Sequence, residues 1–360
     1  MATNFIVVNR FTPINGVGNA AISLYEYLSK KYTETIVVCM RSDSEYAECI
    51  NIRRFPFKIP YSLEIFVLPC FAAFHSRRHY VKHSFEVLLF KPNYFHIHFD
   101  HKIKKGRAGK NPLSALAREF ATKVSILAYK IALIRGAIII APSKLLINQL
   151  QLGNKSSSCK FYALPNCISE RDFSTLKLSN RSKDNSLMPF DGKLGQKKNV
   201  AALLANGDFD FKGMNRIDEI FRAMPLDWDL LIVGVGKNFV IPSKYQSRIR
   251  AMNKISRNEV WNLFETLSGV VVASSFESFS MVTLESIVKG VPVLSLGPIG
   301  IQEFYDDYVR LSGVKSLLLH KEFEFVPDHS NFSVDKRNSQ IDFQTYLLNK
   351  RQEVFNEMNL

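Results

Sequence analysis

The sequence predicts an α/β protein made of two doubly wound parallel sheets in succession. Its 360 residues exceed the size at which one hydrophobic core stops growing, so two domains are expected. Short β-branched runs alternate with segments of helical period in both halves, the pattern of strand–helix–strand units. Between the two alternations, Glu170 to Lys198 is rich in Ser, Asn, Lys, Asp and Gly and lacks hydrophobic periodicity, as a linker does. Domain bounds follow as 1–172, a linker at 173–198, a second domain at 199–338 and a terminal segment at 339–360.

In the amino half the strand-like runs are Phe5 to Val8, Thr35 to Cys39, Tyr94 to His98 and Ile138 to Ala141. The apolar stretch from Val124 to Ala141 is broken by Lys130, Arg135 and Gly136, so it reads as a helix followed by a strand and not as a membrane span. A second alternation runs from Val200 to about Leu319. Val270-Val271-Val272-Ala273 has the character of a buried parallel strand. The next helix stops at Gly290, before Val291-Pro292-Val293-Leu294. Pro327 to Ser339 is polar and reads as a loop, and Ile341 to Met358 as a final helix. The opening Phe5-Ile6-Val7-Val8 already reads as a strand, with no leader before it, so a cytoplasmic location is expected. Five scattered cysteines, without metal spacing and odd in number, argue against disulfides and a zinc site.

Charge is unevenly spread. Residues 1–190 carry 27 Lys and Arg against 12 Asp and Glu, a balance of +15, which leaves −1 for residues 191–360. Arg77, Arg78 and Lys82 lie among Phe66, Phe71, Phe74, Tyr80 and Phe85, and Lys102, Lys104, Lys105, Arg107 and Lys110 crowd one glycine-containing loop. Cations interleaved with aromatics suit an anionic bilayer surface, each contributing about 1 kcal/mol near acidic lipid. Nucleic acid would attract the same charge, but no recognition motif accompanies it.

The chemistry centres on two glutamates eight positions apart, Glu277 and Glu285. Glu277 is expected just past a strand's carboxyl end, where open α/β sheets place ligands. Glu285 is expected in the first turns of the following helix. Carboxylates accept hydrogen bonds from sugar hydroxyls, and helix-start amides meet phosphate, so the pair suits an anionic ligand bearing hydroxyls.

Residues Asn206 to Glu303 resemble the donor-binding half of retaining GT-B glycosyltransferases, specifically glycosyltransferase family 4 with its Glu-x7-Glu signature. The resemblance rests on Leu203-Leu204-Ala205-Asn206-Gly207, Lys212-Gly213 before a helix, Trp228 to Gly234-Val235-Gly236, the two glutamates, and Gly300-Ile301-Gln302-Glu303. In the amino half Asn15-Gly16-Val17-Gly18, Phe95-His96-Ile97-His98, Ile138 to Ser143 and Ala163-Leu164-Pro165-Asn166-Cys167 resemble that family's landmarks in the same order. It implies two Rossmann-like domains facing a cleft, with a terminal helix crossing back to the first domain.

By resemblance, Lys212 neutralises the departing diphosphate, Glu277 meets the transferred sugar, and His98 reaches that sugar from the first domain. His96 and His98 share one strand parity, so only a strand end near His98 would separate their roles. Glu285 would bind the ribose. Gly16, Gly207, Gly213, Gly234, Ser278, Phe279, Ser280 and Met281 would line the donor site. The implied activity is hexosyl transfer with retention, from a nucleotide diphosphate donor to a glycan or lipid-linked glycan of bacterial surface polysaccharide such as lipopolysaccharide, O-antigen or capsule. Neither a metal nor a cofactor is implied. Lys102, Lys104, Lys105 and Arg107 would meet the acceptor at the inner face of the cytoplasmic membrane. Four departures from the pattern stand out: Asp208 where arginine is usual, Asn15 and Ser280 where glycine is common, and Cys167 in place of glycine. Rival readings are a non-catalytic GT-B protein that binds glycans or supports a partner, and a sugar-nucleotide epimerase.

Overall fold

The computed structural model describes residues 3–12, 16–32, 34–42, 52–57, 59, 61–87, 89, 91–99, 112–152, 159–179, 199–203, 212–235, 240–313, 317–319, 335–358 and 360. Two compact units emerge, one of residues 1–169 with 350–360 and one of residues 170–349.

The first unit holds a seven-stranded parallel sheet in the order β3-β2-β1-β4-β5-β6-β7. Its strands are β1 (Asn4–Phe11), β2 (Thr35–Ser42), β3 (Ile52–Arg54), β4 (Val81–Phe85), β5 (Tyr94–His96), β6 (Ile138–Ala141) and β7 (Phe161–Ala163). Helices α1 (Gly16–Lys31), α2 (Tyr61–His75), α3 (Pro112–Ile134) and α4 (Lys144–Leu152) connect them. Alternation along the central strands divides the core: Ile6, Val8, Val37 and Cys39 pack with α1, while Phe5, Val7, Ile36 and Val38 pack with Leu68 and Ala72 of α2. Gly136, at φ 70, turns the chain between α3 and β6, as the interrupted apolar stretch predicts.

β4 was not legible as a strand, because Val-Lys-His-Ser-Phe reads as polar. His83 and Ser84 are nevertheless fully buried, and the strand lies between β1 and β5. Ser84 Oγ donates to Val87 O at 2.5 Å and His83 Nδ1 lies 3.3 Å from His96 Nε2, while His83 Nε2 is buried without a hydrogen-bond partner among the described residues.

The second unit opens with α5 (Glu170–Ser179), which occupies the start of the polar stretch. Its six-stranded parallel sheet has the order β10-β9-β8-β11-β12-β13. The strands are β8 (Asn199–Leu203), β9 (Asp229–Val233), β10 (Ile249–Met252), β11 (Gly269–Val272), β12 (Val293–Ser295) and β13 (Leu318–Leu319). Helices α6 (Ile217–Ala223), α7 (Arg257–Phe264), α8 (Met281–Val288) and α9 (Gln302–Ser312) flank them. The stop at Gly290 is a left-handed cap: Gly290 N donates to Ile287 O and Val291 N to Ser286 O, both at 2.9 Å.

The last helix, α10 (Asp335–Glu357), begins in the second unit and ends in the first. Phe343 packs edge-on to Tyr305 with centroids 5.0 Å apart. Farther along, Phe355, Met358 and Leu360 belong to the first unit's core, and Arg351 Nη1 donates to Pro165 O at 2.7 Å. The terminal segment thus returns to the first unit, as expected. Cys167 fits where the resembling family has glycine because its φ is not left-handed. Asn19 Nδ2 donates to its carbonyl at 2.6 Å.

Two glycines of the second unit share a left-handed φ but differ in surroundings. Gly213 has φ 73, and a Cβ there would lie 1.9 Å from the carbonyl oxygen of Ala273; Gly313 has φ 70 and open space. Gly313→Ala should therefore cost about 1 kcal/mol, for conformation alone. Gly213→Ala should cost at least about 2 kcal/mol more, because backbone must move. Denaturant melts of the two variants check this, and equal losses would show that the Ala273 contact yields without cost.

Candidate functional site

In the second unit the strand order reverses between β8 and β11. Lys212 and Glu277 follow the carboxyl ends of these neighbouring strands, which is where open parallel sheets form a crevice. Lys212 Nζ lies 2.6 Å from Glu277 Oε1, and Ser274 Oγ donates to the same oxygen at 2.7 Å. Glu277 Oε2 takes no partner among the described residues. Both side chains are mostly buried, at 22% and 14% exposure, so their attraction is weakly screened.

The backbone around Glu277 is fixed from both sides. Glu277 N donates to Pro298 O at 3.0 Å, and Gly300 N to Glu277 O at 2.9 Å. A Cβ on Gly297 would sit 2.4 Å from Ser274 O, so this second loop lies directly against the first. Arg216, which the sequence did not single out, locks the strand ends: Nη1 donates to Ala273 O at 3.0 Å and Nη2 to Leu296 O at 3.2 Å. The missing Cβ of Gly213 makes room for Ala273, and Lys212 beside it reaches Glu277.

Ser280 caps α8. Its Oγ accepts from Thr283 N at 3.4 Å and lies 2.8 Å from Thr283 Oγ1. Its φ of 79 explains why glycine is common at this position in the resembling family. Phe279 is buried, and Ser278 and Met281 flank the turn. Gly234 ends β9 at φ 96, and Gly234 N donates to Met252 O at 3.0 Å.

Glu285 lies in the second turn of α8 and does not touch Glu277. Its Oε1 accepts from Arg257 Nη2 at 2.7 Å, while Arg257 Nη1 donates to Asp172 Oδ2 at 2.6 Å. The guanidinium also stands over the Trp261 ring at 5.0 Å. Burial raises the Glu285 carboxyl above its ordinary range, and Arg257 opposes the rise. Arg257 was missed, although Ser256-Arg257-Asn258-Glu259 carries the signal of a capping box. That box forms: Ser256 Oγ accepts from Glu259 N at 3.3 Å, and Ser256 N donates to the Glu259 carboxylate at 2.6 Å.

In the first unit β5 ends at His96, and both histidines stack on Phe85, His96 with centroids 4.1 Å apart and His98 at 5.8 Å. They share one side, as parity requires. His98 N donates to Glu86 Oε1 at 2.8 Å, and Glu86 holds a left-handed φ of 58. Burial lowers His83 to about 3 and His98 to about 4, with Glu86 opposing and Arg351 assisting the second shift. His96 falls well below its ordinary value for the same reason, aided by its histidine neighbours and Arg351. All three are neutral near pH 7. Gly16 opens α1 with open space about it; the packed glycine of that turn is Gly18, where a Cβ would lie 2.3 Å from Thr12 O.

Gly207, Asp208, Lys102, Lys104, Lys105 and Arg107 lie outside the described residues. Among the described residues no cluster of His, Cys, Asp and Glu could hold a metal ion. No described helix is long and apolar enough to cross a membrane. Of the aromatics that the sequence set beside Arg77 and Arg78, Tyr80 and Phe85 are core residues; Phe66 and Phe74 are exposed.

No protein-family model matches the chain. A stretch of 169 residues is 25% identical to an uncharacterized glycosyltransferase of Haemophilus influenzae, covering 45% of this chain and 44% of that protein. The match therefore spans less than half of that relative. Among solved structures, WaaG, a glycosyltransferase involved in lipopolysaccharide biosynthesis, superposes with TM-score 0.59 at 13% identity over 97% of this chain and 94% of its own. Anabaena HepE in complex with UDP-glucose gives 0.58 at 13% identity, with both chains fully covered. Sucrose-phosphate synthase of Thermosynechococcus elongatus gives 0.57 at 13% identity, over 99% and 95%. Each unit is Rossmann-like, and the fold is that of GT-B glycosyltransferases.

Two outcomes follow. Arg257→Met should destabilise the second unit by on the order of 3 kcal/mol, because it leaves Asp172 and Glu285 buried without their cation. Glu285 binds its proton more tightly when folded, so stability falls as pH rises above 4.5; without Arg257 that fall steepens. The variant should therefore approach wild type as pH drops toward 4.5 in denaturant titrations, and a pH-independent difference would reject the charge explanation. The histidines have the opposite sign. The unfolded chain binds more protons between about 4 and 6.5, so stability should fall by about 1 kcal/mol per histidine per pH unit as pH drops through that window. Replacing His83 with Phe should flatten the slope in thermal melts.

Proposed function

We propose that this chain is a retaining glycosyltransferase of the family 4 type. It moves a hexose from a nucleoside diphosphate to a glycan or lipid-linked glycan of bacterial surface polysaccharide. The observation that carries this is the Lys212–Glu277 pair at the reversal of strand order, beside the start of α8, with Glu285 one helix turn beyond that start. The GT-B fold agrees, and HepE, which shares it, is known with UDP-glucose, so UDP-glucose is the first donor to test.

In this reading Lys212 and Glu277 satisfy each other until the donor arrives. The diphosphate then takes the ammonium, whose charge offsets the negative charge that grows on the leaving group. Amides at the start of α8 add to it. Glu277, held by Ser274, turns its second oxygen to the sugar hydroxyls and to the positive charge developing at the anomeric carbon. Arg257 holds one oxygen of Glu285, which leaves the other for the ribose hydroxyls. No step calls for a metal or cofactor. The enzyme works in the cytoplasm on the inner face of the membrane, and the +15 of residues 1–190 draws it to the anionic surface that carries the acceptor.

Transfer and donor hydrolysis with UDP-glucose and other common sugar nucleotides test the reading. Glu285→Ala should weaken nucleotide binding by about 1–3 kcal/mol in calorimetry. Lys212→Ala should lower kcat more than it raises KM, because leaving-group charge peaks in the transition state, and Lys212→Arg should restore only part. A folded protein that binds no sugar nucleotide, or full activity in Lys212→Ala, would overturn the proposal.

A further inference from the structure

The first unit leaves two apolar stripes uncovered. On α2, Leu63, Phe66 and Phe74 are 49%, 45% and 85% exposed, with exposed Cys70 between them; spacings of three, four and four residues set all four on one helix face. On α3, Phe120, Leu127 and Ile134 recur every seven residues and are 47%, 49% and 82% exposed. The stripes touch, since the Phe66 and Phe120 rings have centroids 5.3 Å apart. Scattered surface apolar residues need no explanation, but a contiguous aromatic face marks a surface that something covers.

We infer that this face is a docking surface for an anionic lipid bilayer, with the aromatic stripes of α2 and α3 entering the interface and the cations beside them meeting the headgroups. Charge selects the occupant. Arg77 and Arg78 follow the end of α2, and Lys123, Lys130 and Arg135 lie on or just past α3, all exposed. Each helix has one carboxylate with a described position, and each is neutralised: Glu64 is buried against Arg41 at 2.6 Å, and Glu119 pairs with Lys123 at 2.9 Å. Apolar stripes rimmed by cations are the composition of segments that lie in a membrane interface. At 15 residues α2 is about 22 Å long, shorter than the roughly 30 Å hydrocarbon core, so it lies on the bilayer and does not span it. The inference deepens the proposed membrane-facing role and adds side chains absent from the basic-loop expectation. Its test uses vesicles without donor or acceptor, so it and the proposed chemistry can fail separately.

The experiment is flotation of the full chain with vesicles of phosphatidylcholine alone or mixed with phosphatidylglycerol. The protein should float with the anionic vesicles at low salt and stay behind with the neutral ones. Arg77→Ser with Arg78→Ser should lower partitioning about thirtyfold. Phe74→Ser with Ile134→Ser, both highly exposed and so harmless to the fold, should lower it on the order of tenfold with unchanged Tm and unchanged donor hydrolysis. An environment-sensitive dye on Cys70, with Cys49 and Cys159 changed to Ser, should shift to the blue on anionic vesicles. Failure to float at low salt, full binding by the Phe74/Ile134 variant, or flotation without a dye shift would each overturn the inference. So would a lipid-free dimer in sedimentation velocity that the same variant abolishes, since the face would then belong to a second copy.

Discussion

The second unit depends on how closely backbone can approach the carboxyl end of β11. Gly213 lies so near Ala273 that no side chain fits between them, and Arg216, three residues on, binds the carbonyls that end β11 and precede the loop after β12. One short segment thereby closes the ends of two strands that the chain reaches much later. The pairing of Lys212 with Glu277 follows from that closure. The same segment feeds Met214, Ile217 and Ile220 into the core, so the loop bearing the cation is continuous with the packing that stabilises the sheet.

The two glutamates of the motif sit in different electrostatic settings although they are separated by only two helical turns of chain. Glu277 takes an ammonium and a hydroxyl on one oxygen at the rim of the crevice. Glu285 is buried deeply enough that its ionised form depends on Arg257, a cation that it shares with Asp172. A buried carboxylate held by one shared guanidinium is sensitive to the loss of any member of the trio, whereas an ammonium at a crevice rim can change partners at small cost.

The first unit handles its polar interior by the opposite route, keeping its charges few. Three histidines are buried neutral, stacked on Phe85 and Tyr94, with His83 bonded to His96 and the Arg351 guanidinium discouraging protonation of His96 and His98. Arg351 is buried, whereas Arg77, Arg78, Lys123, Lys130 and Arg135 are exposed. Its interior favours neutral groups while its exterior, from Arg77 to Arg135, is strongly positive, a division that suits a body attracted to an anionic surface without altering its core.

Much of the fold was legible because the signals that specify it are local. The β-branched run before Glu277, the cap at Gly290 and the break at Gly136 each depend on residues within a few positions, and each formed where the sequence placed it, whereas the last helix starts at Asp335, inside the stretch read as a loop before Ile341. The glutamates were legible for the same reason, as a strand end and a helix start. What tertiary structure alone decided is which charges meet. Lys212 finds Glu277 across 65 positions because β8 lies beside β11, and Arg257 finds Asp172 across 85; no periodicity encodes such neighbours. β4 escaped notice because its His83 and Ser84 are polar by composition, while in the fold His83 meets His96 of β5 and Ser84 bonds the Val87 carbonyl just past its own strand. Likewise, the sequence determined that aromatics and cations are interleaved near residue 77, but only packing could sort Tyr80 and Phe85 into the core from Phe66 and Phe74 at the surface. Burial is set by what lies across a face, and that is a property of the folded neighbourhood and not of the chain segment itself.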